Sequence, residues 1–283
     1  MNSRAQSIAR KVKTIGIEVI VHLILVVGAF FAVLPLFWML SAAFKPMREI
    51  IQYPPTWIPM EPTLDNFREV FSAIPFLRFF MNSVVVSAVS VFSVLLTSSL
   101  AGYALAKFEF AGRHLIFVLV LATLMIPFQI IMIPLFDMIA RIGLVDSPMG
   151  VILPGLVSAF GIFLMRQYML SIPSDLIDAA RIDGASELRI FLRVILPLCR
   201  PVLSALAILT FVETWDSYLW PVVVLHSEKW YTIPVGIAMF SGRHYNQYDL
   251  QMATAAIAIL PVLVLFLLLQ RQFIRGIALT GFK

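Results

Sequence analysis

The chain has 283 residues, 60% of them hydrophobic and 13% charged, with a net charge of +5. A globule of that length cannot hide so much apolar surface from water, so the composition excludes a soluble domain and indicates a membrane protein. The single cysteine, Cys199, excludes an intramolecular disulfide framework. The basic balance comes without a cationic patch interleaved with aromatics, which sets nucleic-acid binding aside.

In chain order, a basic start is followed by an apolar run from Val19 to Phe44. That run exceeds the ~7 to 15 residues of a signal-peptide core and is expected to be an uncleaved signal anchor. Prolines then break up Lys45 to Arg78, an expected external loop in which "TLDNFREVF" places Leu64, Phe67 and Phe71 at helical spacing for an interfacial helix. Further runs of spanning length cover 83–106, 115–139, 149–170, 198–225 and 252–269. With 19–44 they predict about six transmembrane helices. Ten-residue alternating segments of an outer-membrane barrel are absent. Pro35, Pro127, Pro134, Pro154, Pro221 and Pro261 fall inside these runs and are expected to bend helices.

Orientation follows from the basic residues, because short positive loops stay cytoplasmic. Those from Arg4 to Lys13, Lys107 and Arg113, those from Arg166 to Arg200, and those from Arg271 to Lys283 make fourteen on one side, against seven on the other. Both termini are therefore expected in the cytoplasm. The reading is an all-α integral membrane protein, 1–283 as a single transmembrane domain, with no internal repeat and no soluble part. His22, His114, His226 and His244 are scattered, so no metal site is expected.

One polar segment interrupts this pattern, "SDLIDAARIDGASELRIFLRVILP" from Ser174 to Pro197. Ser174 is a candidate N-cap, Asp175 and Asp178 suit the positive end of a short helix, and Arg181 suits its negative end. Gly184 can adopt the left-handed conformation that stops a helix, and Ser186 with Glu187 can start another. Leu176, Ile177 and Ala180 share one face of the first helix and Leu188, Phe191 and Ile195 one face of the second. Both faces need a partner, which the lipid surface or other cytoplasmic ends could supply.

Asp178-Ala179-Ala180, three residues, Gly184, nine residues, then Val194-Ile195-Leu196-Pro197 resembles the EAA loop of bacterial ABC importer permeases, with Asp178 for the usual Glu and Val194 for the usual Ile. "FVETWDSYLWPVVVL", "YTIPVGIAMF" and the ending "QRQFIRGIALTGFK" are similar to carbohydrate-uptake permeases of the maltose-permease type, specifically the smaller, six-span subunit. The resemblance implies a type I importer permease fold with cytoplasmic coupling helices. It implies that Asp178, Ala179, Ala180, Gly184 and Leu188 make the contact with the ATPase. It also implies a second homologous permease, a homodimeric or heterodimeric cytoplasmic ATPase that binds ATP and Mg, and an extracytoplasmic solute-binding protein. The location implied is the bacterial inner membrane, multi-pass in the lipid bilayer. The chain has no G-x-x-x-x-G-K-[ST] phosphate cradle of its own, so it is expected to be no enzyme and to carry no cofactor.

Glu213 and Asp216 are expensive near membrane depth, and with Trp215 and Tyr218 they offer the acceptors and aromatic faces that suit sugars, or else an interfacial belt. Gln129, between two prolines, and Asn82 complete the candidate pathway; interhelical bonding is the competing role for Asn82, Ser83, Gln129 and Ser158. The external segment 227–249 offers Trp230, Tyr231, Arg243 and Tyr245 for contact with a binding protein. The expected function is ATP-driven import of a sugar or oligosaccharide by alternating access. Glycerol phosphate or another polar solute is the alternative cargo, and a secondary transporter the alternative class. Arg78 and Arg243 leave an acidic oligosaccharide open.

Overall fold

A computed structural model describes the backbone of residues 2–241 and 246–280, and side chains of 15–241 and 246–270. Helices account for nearly all of it, with no β-strand among the described residues. Ile15–Ala43, Phe76–Lys107, Pro148–Leu170 and Tyr248–Gln270 are each long and apolar enough to cross a bilayer, and two bent pairs raise the count from four to six. The run 115–139 contains one such pair, Arg113–Thr123 and Phe128–Arg141, set at 99°. Pro127 explains the break: its backbone is extended (φ −61°, ψ 133°) and it has no N–H to continue the first helix. The run 198–225 belongs to a second pair, Glu187–Leu198 and Arg200–Trp215, bent by 78°. There Cys199 (φ −84°, ψ 3°) ends one helix and starts the next, and Pro201 fits the first turn. The helix stops at Trp215, and a short separate helix, Leu219–Val224, follows.

Cα proximity divides the chain into two compact units, 1–70 with 242–257, and 71–241 with 258–283. In the first, the proline-rich segment is pinned by buried charge. Lys45 is fully buried, its Nζ donating to the Thr56 carbonyl and lying 4.7 Å from the Trp38 ring centroid. Burial lowers its pKa, partly offset by Glu49. Burial pushes the Glu49 carboxyl up, but bonds from Met60 N–H, the Thr56 hydroxyl and Glu61 N–H, with the Lys45 charge, hold it below the usual value. Asn66, also buried, donates to the carbonyls of Ala43 and Lys45. These bonds to buried charged and polar side chains favour one conformation for the segment that its prolines mark as an external loop.

In the second unit the Phe76–Lys107 helix packs against Ala159–Leu170 and Arg200–Trp215. Its buried face carries Ser83, Ser87, Ser90, Val94, Ser98 and Gly102, at spacings that repeat along one side of a helix. A Cβ on Gly102 would lie 2.7 Å from Met165 Cβ, and one on Gly161 2.3 Å from Ser98 Oγ. Between apolar helices in lipid, close approach of small residues supplies the packing energy that water would supply elsewhere. Ser87 and Ser98 have no hydrogen-bond partner among the described residues, so their small volume is what the interface uses. The core continues through Met165, Met169, Ile177, Ile190, Phe191 and Ile195.

Candidate functional site

A cavity of about 500 Å³ opens within the second unit. The Phe76–Lys107 helix contributes Val86, Ser90 and Val94, and the end of the Arg200–Trp215 helix contributes Thr210, Glu213 and Thr214. The helix break at Pro127 brings in Phe128 and Gln129; Ser217 and Tyr218 come from the turn after Trp215 and Trp220 from the Leu219–Val224 helix. Trp220 is held by its indole N–H donating to the Gly150 carbonyl at 3.2 Å and by an edge contact with Phe128 at 5.8 Å. Thr214 turns its hydroxyl back onto the Thr210 carbonyl, and Ser158, also on the wall, caps the Ala159–Leu170 helix by accepting from Gly161 N–H. The side chains of Gln129, Glu213, Ser217 and Tyr218 make no such commitment among the described residues, which leaves an amide, a carboxylate and two hydroxyls facing the space.

Three of the six predicted pathway residues, Gln129, Glu213 and Tyr218, thus line one cavity. The other three lie elsewhere. Trp215 is buried, its indole N–H donating to the Ala258 carbonyl at 3.0 Å and its ring stacked on Phe211 and edge-on to Phe80. Asp216 is exposed outside the lining, at the helix end. Asn82 spends its amide on the carbonyls of Lys229 and Tyr231, and next to it Ser83 accepts from Ile233 N–H.

The polar segment forms a helix, Asp175–Ile182, closed by Gly184 at φ +79°. Gly184 N–H donates to the Arg181 carbonyl and Ala185 N–H to the Ala180 carbonyl, each at 3.0 Å, the paired bonds of a Schellman motif. Ser174 and Ser186 occupy cap positions without a side-chain cap bond. After Glu187–Ile190 the chain widens into a π-helix over Phe191–Ile195. Ile177, Phe191 and Ile195 enter the core, whereas Leu176, Ile182 and Leu188 remain exposed, as do Asp178 and Ala179; Ala180 is half-buried. Arg181 links the two halves, donating to Glu187 Oε1 at 2.7 Å and to Asp178 Oδ1 at 3.1 Å. The bond to Glu187 raises the guanidinium pKa. Tyr103 donates to Glu187 Oε2 at 3.2 Å, and Lys107 donates to the Ile172 carbonyl. The helix that walls the cavity with Ser90 and Val94 is therefore bonded at its other end to this two-helix element.

Trp230 and Tyr231 are half-buried, packed beside Val224 and Leu225, with the Tyr231 ring 5.9 Å from Phe79. Arg243 and Tyr245 lie outside the described residues. Sequence reasoning missed Asp146, a non-glycine residue at φ +57°. Its carboxylate accepts from His226 N–H, Ser227 N–H and the Ser227 hydroxyl, while its own N–H donates to the Val224 carbonyl. The Ser227 bonds hold its pKa below the ordinary 3.8 against the opposing pull of burial. A depressed carboxyl stabilises the fold above its ordinary titration range and loses that contribution as pH falls through the depressed value. Asp146→Asn keeps the left-handed backbone accessible and removes the charge. It is expected to lower the unfolding temperature in detergent by roughly 2–4 °C at neutral pH, a gap that narrows on acidification; thermal scans of both proteins across pH check this.

Residues 93–278 match the family described as binding-protein-dependent transport system inner membrane component. The arabinooligosaccharides transport system permease protein AraQ of Halalkalibacterium halodurans is 44% identical over 90% of this chain and 92% of its own. The sn-glycerol-3-phosphate transport system permease protein UgpE of Pectobacterium atrosepticum is 34% identical over 93% of this chain and 96% of its own. A solved bacterial ABC transporter involved in the import of the acidic polysaccharide alginate includes a chain with the same fold, at a TM-score of 0.78 and 24% identity over 96% of this chain and 99% of that one. A helical membrane chain with these relatives, matched over most of its length, belongs to the family of binding-protein-dependent transport system inner membrane components.

Proposed function

We propose that the chain is one of two permease subunits in an ATP-driven importer whose cargo is a sugar or short oligosaccharide. The observation that carries this reading is the cavity's mixed lining: hydroxyls, an amide, a carboxylate and aromatic faces set among apolar side chains suit a polyhydroxylated ring. The arabinooligosaccharide permease, the more similar of the two relatives above, supports a saccharide over glycerol phosphate. In this reading Gln129, Glu213 and Tyr218 touch cargo, whereas Trp215 and Asn82 brace the surrounding helices and Asp216 lies off the wall. Asp178, Ala179, Ala180, Gly184 and Leu188 present the two-helix element to a cytoplasmic ATPase that binds ATP and Mg. A second homologous permease completes the pathway, and an extracytoplasmic binding protein delivers cargo near the external segment 227–249. Both termini lie in the cytoplasm.

Motion of the ATPase would reach the cavity through Arg181, Glu187 and Tyr103, since those bonds join the exposed element to a helix on the cavity wall. Reconstitution tests the whole reading. Proteoliposomes holding this chain, its paired permease, the ATPase and the binding protein are expected to accumulate arabinotriose or maltotriose only with ATP and only with every component present. Accumulation by this chain alone, driven by an ion gradient, would overturn it in favour of a secondary transporter.

A further inference from the structure

Glu213 sits in an electrically unfavourable place. It lies in the last turn of the Arg200–Trp215 helix, where the exposed carbonyl ends carry partial negative charge and no basic residue is present. Among the described residues its carboxylate makes no ion pair, and the cavity it faces is lined by no Lys, Arg or His. Acidic residues in or near a spanning segment are costly, and a partner or a water-filled cavity is what makes them tolerable. Among the described residues of this chain, the cavity fills that role. Its neighbours on the wall, Gln129, Ser217 and Tyr218, are uncharged and free to donate or accept.

Resting on the carbohydrate reading, we infer that Glu213 makes this cavity a charge filter, accepting hydrogen bonds from the hydroxyls of a neutral saccharide and turning away uronate or phosphorylated sugars. A vicinal diol can donate to both oxygens of a carboxylate, an arrangement an anionic ring carrying its own carboxylate meets with repulsion. At about 6 to 10 Å and an effective dielectric near 20, that repulsion disfavours the anion by on the order of ten- to a hundredfold. Arg78, which the sequence offers as a possible welcome for an acidic chain, is not among the residues on the wall.

Titration calorimetry on the detergent-purified complex of this chain, its paired permease and the ATPase tests the filter, with arabinotriose, maltotriose and trigalacturonate as probes. The wild-type complex is expected to bind a neutral trisaccharide at least tenfold more tightly than trigalacturonate, with the ratio shrinking as salt is raised. Glu213→Gln, nearly the same in shape, is expected to reduce the ratio to within a few-fold of unity, and Glu213→Lys to reverse it. A general packing defect would weaken both classes together and leave the ratio unchanged. If the wild type binds the anion as well as the neutral sugars, or if the ratio survives in Glu213→Gln, the filter is overturned and the carbohydrate reading stands. If the wild type binds none of the three, the carbohydrate reading itself fails, and the filter with it.

Discussion

Replacing Gly184 with valine is expected to leave the subunit membrane-inserted and assembled yet reduce ATP-driven uptake tenfold or more. The cause is backbone geometry. No atom of this chain lies within 4 Å of where a Cβ would be built, so bulk costs nothing within the subunit, but φ is +79°. A left-handed residue with a Cβ costs roughly 1 to 2 kcal/mol, and β-branching adds to that. The native turn holds two bonds, Gly184 N–H to Arg181 and Ala185 N–H to Ala180. Losing them frees the end of the Asp175–Ile182 helix just where Arg181 grips Glu187. Gly184→Asn separates this from any effect of size, because asparagine tolerates the left-handed region. Uptake and ATP hydrolysis measured in the same proteoliposomes should show hydrolysis continuing without uptake in the valine variant and near-normal coupling with asparagine. Equal behaviour of the two would remove the turn as the reason for glycine.

Gly102→Val should be more damaging, and to folding rather than coupling. The added Cβ would stand 2.7 Å from Met165 Cβ and 3.0 Å from the backbone nitrogen of Arg166. No rotamer of valine avoids a backbone atom, so the Phe76–Lys107 and Ala159–Leu170 helices must separate. Overpacking a tight core costs about 1 to 3 kcal/mol or more, and here it also forfeits dispersion contacts along the small-residue face. We expect a loss of roughly 3 kcal/mol or more, seen as a sharp fall in yield and in the detergent unfolding midpoint. Gly28→Val is the matched control in another apolar helix. Nothing lies within 4 Å of its Cβ position, and the variant should behave as wild type.

What could be read in advance follows a physical rule: patterns local in sequence were legible, and partners distant in sequence were not. Apolar runs of spanning length announce helices, and the Gly184 stop is written in its own neighbours. Ser98 and Gly102, four apart, form a small-residue pattern that could have flagged the tight helix contact. By contrast, Asn82 finds its acceptors at Lys229 and Tyr231, and nothing near Asn82 indicates this. Lys45 and Glu49 fall in the segment expected as an external loop, and their burial is a tertiary property that the local pattern does not carry. Trp215 lies two residues, about 200° of helix rotation, from Glu213 and so faces away from it, while Asp216 stands at the cap where the helix ends and leaves the wall with the turn. The aromatic content of Trp230 and Tyr231 suggests a docking surface, and both rings are half-buried against a cluster that includes Val224 and Leu225.

The break before Pro127 has a consequence for isotope exchange. Where Arg113–Thr123 ends and Phe128–Arg141 begins at 99°, the carbonyls of Leu121, Ala122 and Thr123 still accept from the N–H groups of Leu124, Met125 and Ile126, but the amides of Phe128 and Gln129 open a new helix and lack intrahelical partners. Hydrocarbon offers such groups nothing, so irregular backbone persists at membrane depth only beside protein donors or a wet lumen. Phe128 and Gln129 are on the cavity wall, which makes water the natural partner. In deuterium oxide the amides at 128 and 129 should therefore exchange as fast as those of a surface loop while both flanking helices stay protected, marking a patch of bulk-like solvent inside the apolar slab. Its depth would then be set by a proline and not by the length of any helix.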